Sequence, residues 1–138
     1  MLNISIIQVF IRAMHEYTKG LNTNAQLGWM CPDAICATSC DHNREDVREY
    51  IRRAIIESRN SGVDIILAPY YENYHWVLLV VWVSHGMIFM YDSLRTSQMR
   101  RLLIMSLFSS VFRNMCGDGE NKQKVIWKQV KCAKQTGG

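Results

Sequence analysis

A change of hydrophobic period near residue 63 constrains the fold of this chain most strongly. Before that point, apolar residues in two segments, 4–19 and 44–59, recur every three or four positions, as on one face of a helix. After it come three short runs rich in β-branched and aromatic residues, which predict strands. They are VDIILAPY (63–70), HWVLLVVWV (75–83) and GMIFMYDS (86–93). The second run is apolar on both faces, so it predicts the central strand of a sheet.

The rest of the chain places helices around these strands. Helical spacing predicts helices over 4–19, 44–59 and 97–115, with stops at Gly20 and at Asn60-Ser61-Gly62. Residues 21–43 have no clear period and predict a loop or short helical turns, and VIWKQVKC (125–132) predicts a last strand. With 138 residues and no internal repeat or linker, the chain predicts a single domain over residues 1–138.

Composition limits the partners and the compartment. The net charge of +4 comes from scattered basic residues, so it does not predict nucleic-acid binding. The longest apolar run, Trp76–Val83, is far below the roughly 20 residues that a membrane helix needs. The chain has five cysteines, an odd number, and Met1 leads directly into a helical pattern without a secretory signal. We therefore expect reduced thiols in an intracellular protein of the nucleus or cytoplasm.

The last five residues, KQTGG, raise a specific question. A terminal Gly-Gly is typical of mature ubiquitin-like modifiers. Such modifiers begin with a hairpin followed by a helix, whereas this chain is predicted to begin with two helices. The order of elements therefore argues against a modifier, and the Gly-Gly needs another explanation.

His75 and Asp92 are the candidate chemical pair. If the second and third strands form an antiparallel hairpin, the beginning of one lies beside the end of the other, which brings His75 and Asp92 to one edge of the sheet. An imidazole held by a carboxylate is the orienting half of a catalytic triad. The alternative is that His75 only caps its strand and that Asp92 starts a turn with Ser93.

Several motifs together resemble one protein family. They are LNISIIQVFIRAMHEY at the start, LAPYYENYHWVLLVV around His75, MYDSL with Asp92 17 residues after His75, and Gln135 43 residues after Asp92. This arrangement is similar to the ubiquitin-like-protein-specific (SUMO/sentrin-type) cysteine proteases, and most of all to their plant-like branch. The resemblance covers nearly the whole chain.

The resemblance implies an α/β (α+β) papain-like fold, in which helices flank a mostly antiparallel sheet. It implies that His75 is the general base, that Asp92 orients it and that Gln135 stabilises the oxyanion. Trp76 would lie over the channel that admits the Gly-Gly tail of a SUMO-type modifier, the expected partner. The nucleophilic cysteine of the family would fall six residues after Gln135, which is three positions beyond Gly138. We therefore expect a partial catalytic domain that is inactive as given. The alternative is a non-catalytic modifier-binding module or a pseudoenzyme fragment.

Other residues are weaker candidates for the chemistry. Cys132 falls in the last predicted strand, Cys116 falls at a helix C-terminus that disfavours a thiolate, and Ser93 lacks the glycines of a nucleophile elbow. A zinc site is the alternative use of four further residues, but their spacing misses the usual two-residue knuckle. They are Cys31, Cys36, Cys40 and His42. We expect no metal and no cofactor.

Overall fold

The computed structural model of the protein describes residues 27–92, 102–115 and 124–130. Over these ranges, five strands form one sheet in the order β1-β2-β3-β4-β5. The strands are β1 (Leu27–Trp29), β2 (Ile65–Glu72), β3 (His75–Trp82), β4 (Met87–Asp92) and β5 (Ile126–Val130). The helices are α1 (Pro32–Ile35), α2 (Ala37–His42), α3 (Arg44–Ser61) and α4 (Leu103–Met115). The helix predicted over 4–19 and the end of the last predicted strand lie outside the described residues.

The centre of the sheet is antiparallel and its two edges are parallel. Strand β3 pairs antiparallel with both β2 and β4, so the prediction that the second apolar run is central is confirmed. Strands β1 and β5 pair parallel with β2 and β4 respectively. In the second of these edge pairs, both strands end on the side of the sheet where β3 begins.

Two sequence predictions differ from the structure. The segment predicted as a loop or short helical turns does contain short helices, but it also contains strand β1, which is too short at three residues to show a period. Strand β2 begins and ends two residues later than predicted, and it continues through Pro69. Proline is tolerated there because β1 pairs only as far as Leu67, which leaves that edge of β2 open beside Pro69.

The two longer helices follow the spacing of their apolar residues. Helix α3 buries Val47, Ile51 and Ile55 and ends at Gly62, whose φ of 75° is the left-handed conformation expected of a C-terminal glycine. Helix α4 buries Leu107, Phe108 and three further apolar residues. Among the helices in the described ranges, none combines the length and apolar character needed to cross a membrane.

The hydrophobic core lies between the helices and one face of the sheet. Every second side chain of β2, β3 and β4 is buried on this face and joins the buried helical residues in one cluster. The sheet contributes Ile66, Ala68, Tyr70, Val77, Leu79, Val81, Ile88 and Met90. This face matters for function because the next positions along it, at one end of the sheet, are Glu72, His75 and Asp92.

A tight two-residue turn joins β2 to β3. Asn73 and Tyr74 both have positive φ, of 51° and 60°, which matches the type I′ hairpin turn. Such turns favour asparagine followed by glycine, and a tyrosine in this conformation carries steric strain. The side chain of Tyr74 is 85% exposed, so it gains little from packing.

We therefore expect Tyr74→Gly to stabilise the protein. The left-handed strain of about 1–2 kcal/mol is relieved, and the greater flexibility of glycine offsets part of it, for a net gain of about 0.5–1 kcal/mol. Chemical denaturation measures the change. Asn73→Gly is the matched control, with an effect near zero because asparagine tolerates this conformation. A loss of stability in Tyr74→Gly would show that the turn carries no strain.

Candidate active site

His75 and Asp92 lie together at one end of the sheet. His75 is the first residue of β3 and Asp92 is the last residue of β4. The register pairs Asp92 with Val77, so His75 lies two residues along on the same face. The Nε2 atom of His75 is 2.8 Å from Oδ1 of Asp92. The structure thus brings the two side chains into the contact that the hairpin geometry predicts, whereas their catalytic roles stay a prediction.

The burial of this pair fixes its geometry. The Asp92 side chain has no exposed surface and that of His75 is 14% exposed. A buried carboxylate that accepts a hydrogen bond from Nε2–H fixes the tautomer and the plane of the ring. The other ring nitrogen, Nδ1, is then the atom that can exchange a proton with a reacting group. The pair can therefore act as an oriented general base.

Trp76 follows His75 but points to the opposite face of the sheet, because side chains alternate along a strand. Its ring packs against Tyr71, with centroids 5.0 Å apart. Its indole Nε1 is buried and has no hydrogen-bond partner within the described ranges. The aromatic pair of Tyr71 and Trp76 flanks the end of the sheet that carries His75. The proposed role of Trp76 over a substrate channel stays a prediction.

Gln135 lies outside the described residues, as do Ser93, Cys116 and Cys132. Strand β5, which ends five residues before Gln135, lies within the described residues. It runs parallel to β4 with Val130 opposite Tyr91. The chain therefore leaves β5 at the end of the sheet that carries Asp92.

Cys40 is not an activated thiol, and the described cysteines do not belong to a cluster of metal ligands. Cys31 is exposed, whereas Cys36 and Cys40 are buried and form no disulfide. Burial, together with the nearby Cys36 and Glu72, raises the pKa of the Cys40 thiol to about 12. A thiol with that pKa is not a thiolate at neutral pH. Within the described ranges, no three His, Cys, Asp or Glu side chains gather as metal ligands would.

Glu72 lies beside the candidate pair and was not predicted from the sequence. It is the last residue of β2, is only 7% exposed and pairs directly with His75 across the hairpin. Its Oε1 accepts hydrogen bonds from the Tyr70 hydroxyl at 2.7 Å and from the Leu103 backbone N–H at 3.0 Å. Burial and the bond to Glu72 raise the pKa of Tyr70. One signal was available, because a glutamate stands where the alternation of β2 predicts a buried residue.

Three solved protease structures, two of them of Ulp1, resemble this chain in fold. A de-sumoylating protease superimposes with a TM-score of 0.68 at 18% identity, covering 99% of this chain and 56% of that chain. The C-terminal Ulp1 protease domain in complex with Smt3, the yeast ortholog of SUMO, gives a TM-score of 0.58 at 17% identity, with 99% and 58% covered. The SUMO protease Ulp1 with its catalytic cysteine oxidised to a sulfinic acid gives 0.56 at 17% identity, with 99% and 59% covered.

These matches confirm the predicted cysteine-protease fold, with its sheet and flanking helices. The chain spans less than two thirds of the length of these solved proteases. Among curated proteins, no match to the chain was found. The sequence profile of the Ulp1 protease family, C-terminal catalytic domain, matches residues 28–137, a range that includes His75, Asp92 and Gln135. The chain therefore belongs to the Ulp1 protease family.

Proposed function

We propose that this chain forms part of a cysteine protease domain that cleaves after the C-terminal Gly-Gly of SUMO-type modifiers. His75 is the general base and Asp92 orients it. The observation that carries the proposal is the 2.8 Å bond between these side chains, with the carboxylate fully buried. Membership of the Ulp1 protease family supports a thiol as the nucleophile.

The chemistry follows from the geometry of the pair. A thiol gives its proton to Nδ1 of His75, and its sulfur attacks the carbonyl carbon of the terminal glycine. As the tetrahedral intermediate collapses, the bond to the amine breaks and the imidazolium donates its proton to that amine. A water then gives a proton to His75 and attacks the thioester carbon, the C–S bond breaks, and the sulfur leaves as a thiolate beside the imidazolium. The bond between Nε2–H and Asp92 keeps the ring oriented through both proton transfers.

The path of the chain after β5 supports a role for Gln135 at this site. Val130 lies opposite Tyr91, next to Asp92 in sequence, and Gln135 comes five residues later. The segment from Val130 to Gln135 therefore begins at the end of the sheet that carries the pair. Five residues of extended chain span at most about 17 Å, which limits the distance between Gln135 and that end. Its side-chain amide is the proposed donor to the oxyanion. The proposed nucleophile comes from outside the described residues.

A SUMO-type protein is the proposed partner. The neighbour that crystallised with Smt3 supports this choice. In this proposal, Trp76 covers the passage for the Gly-Gly tail. We place the activity in the nucleus or cytoplasm, a choice that the buried Cys36 and Cys40 support, because neither forms a disulfide.

A second candidate function is modifier binding without catalysis. It is favoured by the state of the described thiols, since Cys36 and Cys40 are buried and the pKa of Cys40 is raised. In this case the chain keeps the docking surface of the family but does not cleave.

Binding of a SUMO-type modifier tests the shared claim of both candidates. We expect residues 1–138 to bind a modifier that ends in Gly-Gly, and to bind the same modifier lacking its last two residues at least about tenfold more weakly, a difference of about 1.4 kcal/mol. Calorimetric titration measures both affinities. Equal affinities, or the absence of binding to both, would overturn the proposal. If Trp76→Ala leaves the affinity for the modifier unchanged, Trp76 does not line the channel for the Gly-Gly tail.

A further inference from the structure

Glu72 lies beside the candidate pair and also contacts the first residue of helix α4. It is directly opposite His75 in the register of β2 and β3. Directly opposite residues of antiparallel strands share a face, so Glu72, His75 and Asp92 all point to the buried side of the sheet. Glu72 is therefore the cross-strand neighbour of His75 on the side away from Asp92.

The hydrogen bonds of Glu72 tie the hairpin to helix α4. Leu103 is the first residue of α4, where the backbone N–H has no acceptor within its own helix. The carboxylate of Glu72 accepts that N–H at 3.0 Å and lies at the positive end of the helix dipole. The Tyr70 hydroxyl donates to the same oxygen at 2.7 Å. The two bonds hold the carboxylate between its own strand and the start of the helix.

These contacts connect helix α4 to the candidate pair. The hydrogen bond from Leu103 reaches Glu72, the strand pairing places Glu72 opposite His75, and His75 bonds to Asp92. The contact between Leu103 and Glu72 can therefore be broken without changing either member of the pair.

A buried carboxylate is a costly way to fill this position. Burying a charge costs several kcal/mol unless hydrogen bonds compensate, and an apolar residue of similar size would avoid that cost. The apolar members of β2 on the same face, Ile66 and Ala68, show what this face otherwise accommodates. The hydrogen bonds that the Glu72 carboxylate accepts, and not packing alone, therefore account for a glutamate at this position.

We propose that Glu72 is a positioning residue for the His75–Asp92 pair, acting by fixing the start of α4 against the hairpin that carries His75. The inference rests on the proposed function only in treating the pair as catalytic. The structural effect can be measured without substrate or nucleophile.

The test removes one donor atom and leaves both carboxylates in place. Leu103→Pro deletes the backbone N–H that Glu72 accepts, at the first helical position, where proline is well tolerated. Leu103→Ala is the matched control, because it removes the same half-exposed side chain and keeps the N–H. The readout is the rate at which the Nε2 proton of His75 exchanges with water, measured by NMR on the 15N-histidine-labelled chain.

We expect exchange about tenfold faster in Leu103→Pro than in Leu103→Ala, the ratio that corresponds to about 1.4 kcal/mol. Equal rates in the two variants would overturn the inference. Ser58→Ala removes another buried polar contact, the bond to the Val63 carbonyl, at the far end of β2. Ser58→Ala should leave the exchange rate of the His75 Nε2 proton unchanged. We expect the faster exchange to come from loss of the contact between Glu72 and Leu103, and not from a general loss of stability.

Substitutions of Glu72 itself provide an independent comparison. Glu72→Gln keeps an oxygen that can accept both hydrogen bonds, so it should retain the slow exchange, whereas Glu72→Ala should lose it. If Leu103→Pro reduces the protection of the α4 amides as a whole, this second comparison decides. Equal rates in Glu72→Gln and Glu72→Ala overturn the inference. A chain that binds no modifier but shows the predicted rates contradicts the proposed function and leaves the positioning role intact.

Discussion

His75→Ala should lower the rate of cleavage after Gly-Gly by about 10³-fold in a protein that carries this chain together with its nucleophilic cysteine. General acid–base catalysis by a positioned side chain contributes typically about 10²–10⁴-fold, and His75 is proposed to act in both proton transfers. The substrate is a SUMO-type modifier with a fluorogenic amide at its C-terminus. The ratio of the kcat/KM values gives the loss of transition-state stabilisation.

His85→Ala is the matched control for this experiment. His85 is an exposed histidine at the other end of the sheet, where it packs against Trp82 with ring centroids 3.7 Å apart. Its removal should leave kcat/KM unchanged. Similar losses in both variants, or no loss in His75→Ala, would mean that His75 is not the base. Asp92→Asn should reproduce a large part of the His75 effect, because an amide does not orient the imidazole as a carboxylate does.

Among the substitutions considered, Phe108→Ala is expected to lower the free energy of unfolding the most. Phe108 has no exposed surface, and its ring meets Trp127 of β5 edge to face, with centroids 6.1 Å apart. Truncation of a buried phenylalanine to alanine costs about 3–5 kcal/mol, because it removes apolar contacts and leaves a cavity. That is a large share of the roughly 5–15 kcal/mol that stabilises a typical domain.

Denaturant titration of the variant measures this change. Leu103→Ala is the control on the same helix, since its side chain is 48% exposed and surface substitutions usually change stability by less than about 0.5 kcal/mol. If both variants lose the same small amount, helix α4 does not pack against β5 as described. The core would then not hold β5 beside β4.

The candidate pair could be predicted from the sequence because its physical basis is local. The two apolar runs are separated by a short turn, and antiparallel pairing of adjacent strands then brings the start of one beside the end of the other. The contact between His75 and Asp92 follows from that rule, whereas their proposed catalytic roles come from the family resemblance. The central position of β3 likewise follows from its two apolar faces.

The remainder depends on contacts between distant parts of the chain. The bond between Glu72 and Leu103 joins residues 31 positions apart and leaves no periodic trace in the sequence. The parallel pairing of β5 with β4, which directs the chain after Val130 toward the candidate site, is likewise set by packing. At the other end of the sheet, Asp64 accepts hydrogen bonds from Trp82 and Ser84, and no sequence pattern indicated it.

The turn at Asn73-Tyr74 falls within the gap that the two apolar runs leave at residues 71–74, although it lacks the glycine that usually marks such turns. Strand β2 continues through Pro69 because its neighbour β1 is short. A strand of three residues shows no period, so neither β1 nor its length could be predicted from the sequence. In both cases the tertiary structure tolerates a residue that local preference disfavours.

Covalent labelling tests the central claim most directly. Residues 1–138 are incubated with a SUMO-type modifier that carries a vinyl sulfone after its Gly-Gly, and intact and peptide mass spectrometry locate any adduct. We predict that the chain binds the probe reversibly and that none of its five cysteines is labelled, because none of them stands six residues after Gln135, the position proposed for the nucleophile. An adduct on any of these five cysteines would contradict the assignment of the nucleophile. The absence of any binding would contradict the proposed function itself.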